Sequence, residues 1–105
     1  MVAGALAAPA IASQSREMTI VSTWPRDFPG LGISAQRLAA RITELSEGRI
    51  NTTYYAAGEK VGAFDSFDDV VSGNSQAYIA ADYYWKGKHP GFAYFTTVPF
   101  GMTTV

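Results

Sequence analysis

From Glu17 to Thr23 the chain reads "EMTIVST", short and rich in β-branched residues. Met18, Ile20 and Ser22 fall on one face, and Thr19, Val21 and Thr23 on the other, the period of a strand. Pro25 and Pro29-Gly30 then break the run. From about Ser34 the period lengthens. Ala35, Leu38, Ala39, Ile42 and Leu45 fall on one helix face and Arg37, Arg41, Glu44 and Glu47 on the other, with Ser34 as N-cap and Gly48 as the stop. "INTTYYA" (50–56) predicts a second strand. "FDSFDDVVSG" (64–73) predicts a second helix with Phe64, Phe67, Val70 and Val71 turned inward. "SQAYIAAD" (75–82) predicts a third strand and "FAYFTTV" (92–98) a fourth, with a short helical turn around Lys88 to Phe92 between them.

Strands alternating with helices define the α/β class, here a mostly parallel sheet flanked by helices and joined by right-handed crossovers. In such sheets ligands bind outside the carboxyl ends of the strands. The segments leaving the strands are "WPRDFPGLG" (24–32), "AGEKVGA" (57–63), "YYWKGKHPG" (83–91) and "PFGM" (99–102). The returns from the helices, Gly48-Arg49 and Gly73-Asn74, are much shorter. Aromatic, glycine and charged residues therefore gather on one rim. Three consecutive aromatics, Tyr83, Tyr84 and Trp85, cannot all face one core on an extended chain. Trp24 takes the equivalent place after the first strand. An aromatic wall with a few polar tips suits a small organic ligand, and packing of one or two of these rings on a helix is the alternative.

Composition removes several function classes. At 105 residues the chain is one small domain or part of one, 48% hydrophobic and 16% charged. Eight basic and nine acidic residues are scattered, leaving no stripe for nucleic acid. With no cysteine and His89 as the only histidine, disulfide frameworks and His- or Cys-rich metal sites are excluded. No Gly-x-Ser-x-Gly elbow accompanies His89, which reads as a surface loop residue. Gly30-Leu31-Gly32 lacks the third glycine of a dinucleotide loop. Asp65, Asp68 and Asp69 read as solvated charges near a helix start, not as a metal site. Arg26 reads as a solvated loop charge or a partner of Asp27, with a carboxylate clamp as the alternative.

Residues 1–15, "MVAGALAAPAIASQS", are apolar and uncharged, with Ala10-Ile11-Ala12 as a small-x-small cleavage pattern. They read as a residual export signal, or alternatively as a short helix or tail. Residues 16–105 are expected to form the domain proper.

"TWPRDFPGLG", "ELSEGRINTTYYAAGE", "FDDVVSGNSQAYIAADYYWKGKHP" and "TVPFGM" resemble the N-terminal portion of the solute receptors of TRAP-type (tripartite ATP-independent periplasmic) transporters, in the branch that binds 2-oxoacids such as pyruvate. The likeness runs from about Met18 to Met102. It implies part of the N-terminal lobe of a type II periplasmic-binding-protein fold, and a periplasmic, non-catalytic protein. Such a receptor captures a small carboxylate and presents it to TRAP membrane permease subunits. It further implies no cofactor in this chain, a sodium ion beside the ligand in the complete receptor, and a clamping arginine and cation ligands in sequence beyond Val105. The positions it carries over as substrate-binding are Trp24, Glu59, Tyr83 and Tyr84. Asp82 lies behind them, and Phe28, Trp85 and Phe100 are weaker candidates. An incomplete lobe would leave apolar surface and a sheet edge open, so a homo-oligomer is also among its expected partners. An α/β interaction module, or part of an enzyme with Glu59 or Asp82 as general base, are the other readings.

Overall fold

The computed structural model describes residues 14–96. Its regular elements are β1 (Arg16–Ser22), α1 (Leu31–Leu45), β2 (Ile50–Tyr55), α2 (Ser66–Val71) and β3 (Ala77–Ile79). A 3-10 turn, Ala63–Asp65, leads into α2, and two more, Asp82–Trp85 and Pro90–Phe95, follow β3. The sheet is three-stranded and wholly parallel in the order β2-β1-β3. Ile20 lies opposite Tyr54 on one side and Ala77 on the other. The α/β class and the parallel sheet are as expected.

β1 is central and bonded along both edges, and toward its carboxyl end both of its faces are covered. Ile20, Val21 and Ser22 are each no more than 2% exposed. The amides of Ile50 and Thr52 on the neighbouring β2 are taken by the hydroxyls of Ser46 (3.0 Å) and Thr43 (2.9 Å) at the end of α1. Side chains of the returning helix thus satisfy backbone groups that an edge strand would otherwise leave to water. Thr19 similarly donates its amide to Gln76 Oε1 at 2.8 Å, ahead of β3.

α1 starts three residues before Ser34, the predicted cap. Gly30 at φ 76° turns the chain into the helix, and Gly32 sits so close to the Pro25 carbonyl that a Cβ there would lie 2.5 Å from its oxygen. The face that packs is also narrower than predicted. Ala35 and Ala39 are buried, whereas Leu38 and Leu45 are 50% and 67% exposed. The small alanines let the helix lie close on the sheet, which leaves the two leucines on its flank.

Further expectations need correction. α2 buries Ser66 and Asp69 instead of Phe64 and Val71, which are 65% and 69% exposed. Asp69 is no solvated charge: it accepts from Lys60 Nζ at 2.7 Å and from the Ser75 hydroxyl, and Lys60 also donates to Ser75 Oγ at 2.8 Å. This network takes Ser75 out of the predicted third strand, which shrinks to Ala77–Ile79. Residues 92–95 of the predicted fourth strand belong to the 3-10 turn Pro90–Phe95, and 97 and 98 lie outside the described residues. Pro90 stands at its start and His89 Nδ1 accepts from Gly91 N at 3.0 Å, which together favour a tight helical turn. The predicted turn around Lys88 to Phe92 is therefore real but displaced.

A second core forms beyond β3. The ring of Phe67 lies 5.9 Å from Tyr78, 5.4 Å from Trp85 and 5.1 Å from Phe92, and Tyr78 and Trp85 are 5.2 Å apart. Trp85 is 4% exposed and its indole N–H donates to the Phe64 carbonyl at 2.9 Å. Its role as a cleft residue is thereby corrected: it is the hub of this cluster. Trp85→Ala is expected to cost about 3–5 kcal/mol, close to the whole stability of a small domain, and to abolish the cooperative urea transition. Trp85→Phe should keep the packing, lose the hydrogen bond and lower stability by only about 1–2 kcal/mol.

Candidate functional site: the carboxyl-end rim

The carboxyl ends of the three strands carry the segments 23–30, 56–62 and 80–89, and each is fastened to its neighbour. Thr23 N–H donates to the Ile79 carbonyl at 3.2 Å, tying the first to the end of β3, from which the third departs. Ala57 N–H donates to the Trp24 carbonyl at 2.9 Å, linking the second to the first. Trp24 is half-buried, and its own amide is held by Ser22 Oγ at 3.1 Å.

Glu59 stands beside Trp24's loop through Arg26. Arg26 Nε and Nη2 reach Glu59 Oε1 and Oε2 at 2.6 and 2.5 Å, a bidentate fork. The same guanidinium donates to Gln36 Oε1 (3.2 Å) and the Tyr54 carbonyl (3.3 Å) and lies 5.5 Å from the centre of the Tyr54 ring. Ala56 N–H completes the set on Glu59 Oε2 at 2.9 Å. Arg26 therefore pairs with Glu59, 33 residues away, instead of its neighbour Asp27, whose carboxylate is held by Gln36 Nε2 at 3.1 Å. The hydrogen bond from Arg26, and then that from Ala56, holds the Glu59 carboxyl at about 2, below its ordinary 4.5. Arg26 is raised in turn, first by Glu59.

Tyr83 and Tyr84 are 39% and 36% exposed, their rings 4.8 Å apart and nearly perpendicular. Tyr84 also meets Phe64 edge-on at 5.5 Å. Their hydroxyl-bearing rings stay open because the neighbouring Trp85 turns into the core, as the 3-10 turn permits and a strand would not. Asp82 accepts from the Tyr78 hydroxyl at 2.8 Å. Burial, and then Asp82, pushes that phenol up to about 12. Phe28 is 46% exposed, and Phe100 lies outside the described residues.

The structure thus brings Trp24 and Glu59 together through backbone and Arg26, and pairs Tyr83 with Tyr84. The strand ends from which the two groups emerge are joined by the Thr23–Ile79 bond. A cavity of about 420 Å³ lined by Gln14, Arg16, Ser46, Arg49 and Ile50 lies at the opposite end of the sheet. A second, of about 300 Å³, is lined by His89, Gly91, Phe92 and Phe95. Neither includes a predicted site residue. Among the described residues no three His, Cys, Asp or Glu side chains are grouped to hold a metal ion. Sequence reasoning missed Gln36, Tyr54 and the Lys60–Asp69–Ser75 network; their partners are 6 to 28 residues apart, and no local spacing signals them.

A parallel sheet with an aromatic and polar rim at its carboxyl ends is an arrangement at which α/β proteins bind ligands. The chain belongs to the bacterial extracellular solute-binding proteins, family 7 (DctP), whose model matches residues 20–105. That family is one of transporter solute receptors, not a class of enzymes. The chain is 36% identical over 83 residues to a monocarboxylate 2-oxoacid-binding periplasmic protein of Nostoc sp., covering 79% of itself and 22% of that protein. A TRAP periplasmic solute-binding protein from Pseudoalteromonas atlantica, solved with sodium and pyruvate, is 38% identical with a TM-score of 0.77 over 85% of this chain and 27% of its own. Another from Colwellia psychrerythraea, with calcium and pyruvate, is 36% identical with a TM-score of 0.76 over 84% and 27%. The chain spans about a quarter of the length of these relatives.

Glu59 gives a pH signature. Its folded pKa of about 2 lies below the ordinary 4.5, so its contribution to stability is complete above about pH 4.5 and is lost as pH falls through about 2. In Glu59→Gln, melting temperature plotted against pH should be flatter over that window than in the unaltered chain. The slope that remains belongs in part to Asp69, also lowered, chiefly by Lys60. Circular-dichroism melts across the window check this, and equal slopes would show that the pair does not form in solution.

Proposed function

We propose that this chain is the first part of the N-terminal lobe of a periplasmic TRAP receptor that captures a small monocarboxylate, a 2-oxoacid such as pyruvate, and delivers it to membrane permease subunits. The observation that carries the reading is the rim itself. Trp24 and the Tyr83–Tyr84 pair stand at the carboxyl ends of a parallel sheet, in a chain 36–38% identical to proteins that bind 2-oxoacids or were solved with pyruvate. In this reading Trp24, Tyr83 and Tyr84 face the solute, and Glu59 belongs to the same wall with its carboxylate engaged by Arg26. The opposite wall, with the cationic group that fixes the carboxylate, comes from the longer receptor. The solute is bound and released unchanged, with no catalytic step.

Sodium and calcium accompany pyruvate in the two solved relatives. The described residues do not fit such an ion by themselves, since Glu59 is spent on Arg26 and Asp69 on Lys60. Its donors would come from the rest of the receptor. Residues 1–15 are read as an export signal removed on secretion, which places the working protein outside the cytoplasm.

A graft tests the reading. Replacing the matching segment of the Pseudoalteromonas relative with residues 16–105 should give a receptor that still binds pyruvate in sodium buffer. Tyr84→Ala in that graft is expected to weaken binding by about 1 kcal/mol, roughly fivefold in Kd by titration calorimetry. A folded graft that ignores pyruvate would reject the reading, and unchanged affinity for both Tyr83→Ala and Tyr84→Ala would remove the tyrosines from the site.

A further inference from the structure

We propose that Arg26 is a carboxylate-binding fork filled from within the chain, and that Glu59 is a positioning residue for Trp24 instead of a group that touches solute. The bearing on solute capture rests on the receptor reading; the filled fork stands without it.

All three guanidinium nitrogens of Arg26 are engaged, and the acceptors come from three separate parts of the chain. Gln36 Oε1 on α1 takes Nη1 at 3.2 Å, and the Tyr54 carbonyl at the end of β2 takes Nη2 at 3.3 Å. The face of Tyr54 adds a ring contact at 5.5 Å. Gln36 is itself pinned, donating to Asp27 Oδ1 at 3.1 Å and to the Gly32 carbonyl at 3.3 Å. These contacts hold the guanidinium whether or not Glu59 is present. They leave its Nε and Nη2 edge as a fork, and Ala56 N–H converges on the same carboxylate at 2.9 Å. Three donors aimed at one carboxylate make a built receptor for that group.

Filling the fork couples two loops. Glu59 belongs to the loop after β2 and Arg26 to the loop after β1, and the bond from Ala57 N–H to the Trp24 carbonyl lies between them at 2.9 Å. With the carboxylate in place the two loops form one piece and Trp24 is held at the rim. A solute carboxylate does not meet Arg26, because the fork is already occupied by an internal one.

The test uses the 105-residue chain and no transported solute. In Glu59→Ala, hydrogen exchange at the Ala57 amide should speed up by about tenfold as the loops part. Acetate should reverse this by entering the vacated fork, while chloride at equal ionic strength should not. Adding Arg26→Ala should abolish the acetate response. Equal effects of acetate and chloride, or an acetate response that survives loss of Arg26, would overturn the proposal. Should Glu59→Ala fail to fold, Glu59→Gln keeps the volume and fills the slot. It is expected to speed Ala57 exchange without any response to acetate, and unaltered exchange there would equally overturn it. A negative outcome leaves the receptor reading standing, and a graft that ignores pyruvate leaves the fork standing.

Discussion

The double pairing of β1 is the constraint on which the remainder of the fold depends. Because Arg16–Ser22 is bonded in parallel on both sides, each neighbouring strand must be reached by a crossover, and each crossover covers part of the sheet. α1 supplies the first, and α2 with its preceding turn the second. Ile20 and Val21, on opposite faces of the same strand, are consequently the most fully buried hydrophobic residues. The same arrangement sends every strand toward one end, so the segments that follow Ser22, Tyr55 and Ile79 must meet there. The rim is a product of strand direction before any side chain is considered.

The two sides of the rim are held in shape differently. On the β2 side, an open, charge-assisted network around Arg26 joins the loops. Both partners of its central pair remain partly exposed, 45% and 35%, so solvent screens the attraction, and geometry matters more than energy. On the β3 side the fastening is drier. Asp69 is 7% exposed and satisfied by Lys60 and Ser75. Next to it, the cluster of Phe67, Tyr78, Trp85 and Phe92 gives the Tyr83–Tyr84 pair a rigid base. Lys88 spans this side on the surface, reaching Asp68 at 2.8 Å and the ring of Phe67 at 5.7 Å.

In the proposed receptor these details would serve a common purpose. A receptor that closes on a small solute needs one wall whose shape does not depend on the ligand, since any ordering postponed to the moment of binding weakens affinity. Strand-end loops bonded to one another, with tyrosines seated on a buried tryptophan, have that character. In the proposed receptor the wall would offer aromatic faces and an ion pair, with Glu59 held by Arg26 and Asp69 by Lys60.

The α/β class, the parallel sheet and the end at which the strand-exit segments gather were legible in the sequence. They follow from hydrophobic period and from the contrast between long and short connections, which are local properties. "EMTIVST", "INTTYYA" and the Ala35–Ala39 stripe therefore gave strand, strand and helix directly. Pairing across long stretches of chain was not legible. Nothing in sequence joins Arg26 to Glu59 or Lys60 to Ser75, and only the folded backbone sets those partners within reach. The same limit explains the strand expected from 92 onward and the inward Phe64 and Val71. β-propensity and helical spacing describe what a segment can do alone. Pro90, the ring of Phe67 and the buried Asp69 decided what those segments did together, because burial and hydrogen-bond satisfaction are settled by neighbours in space.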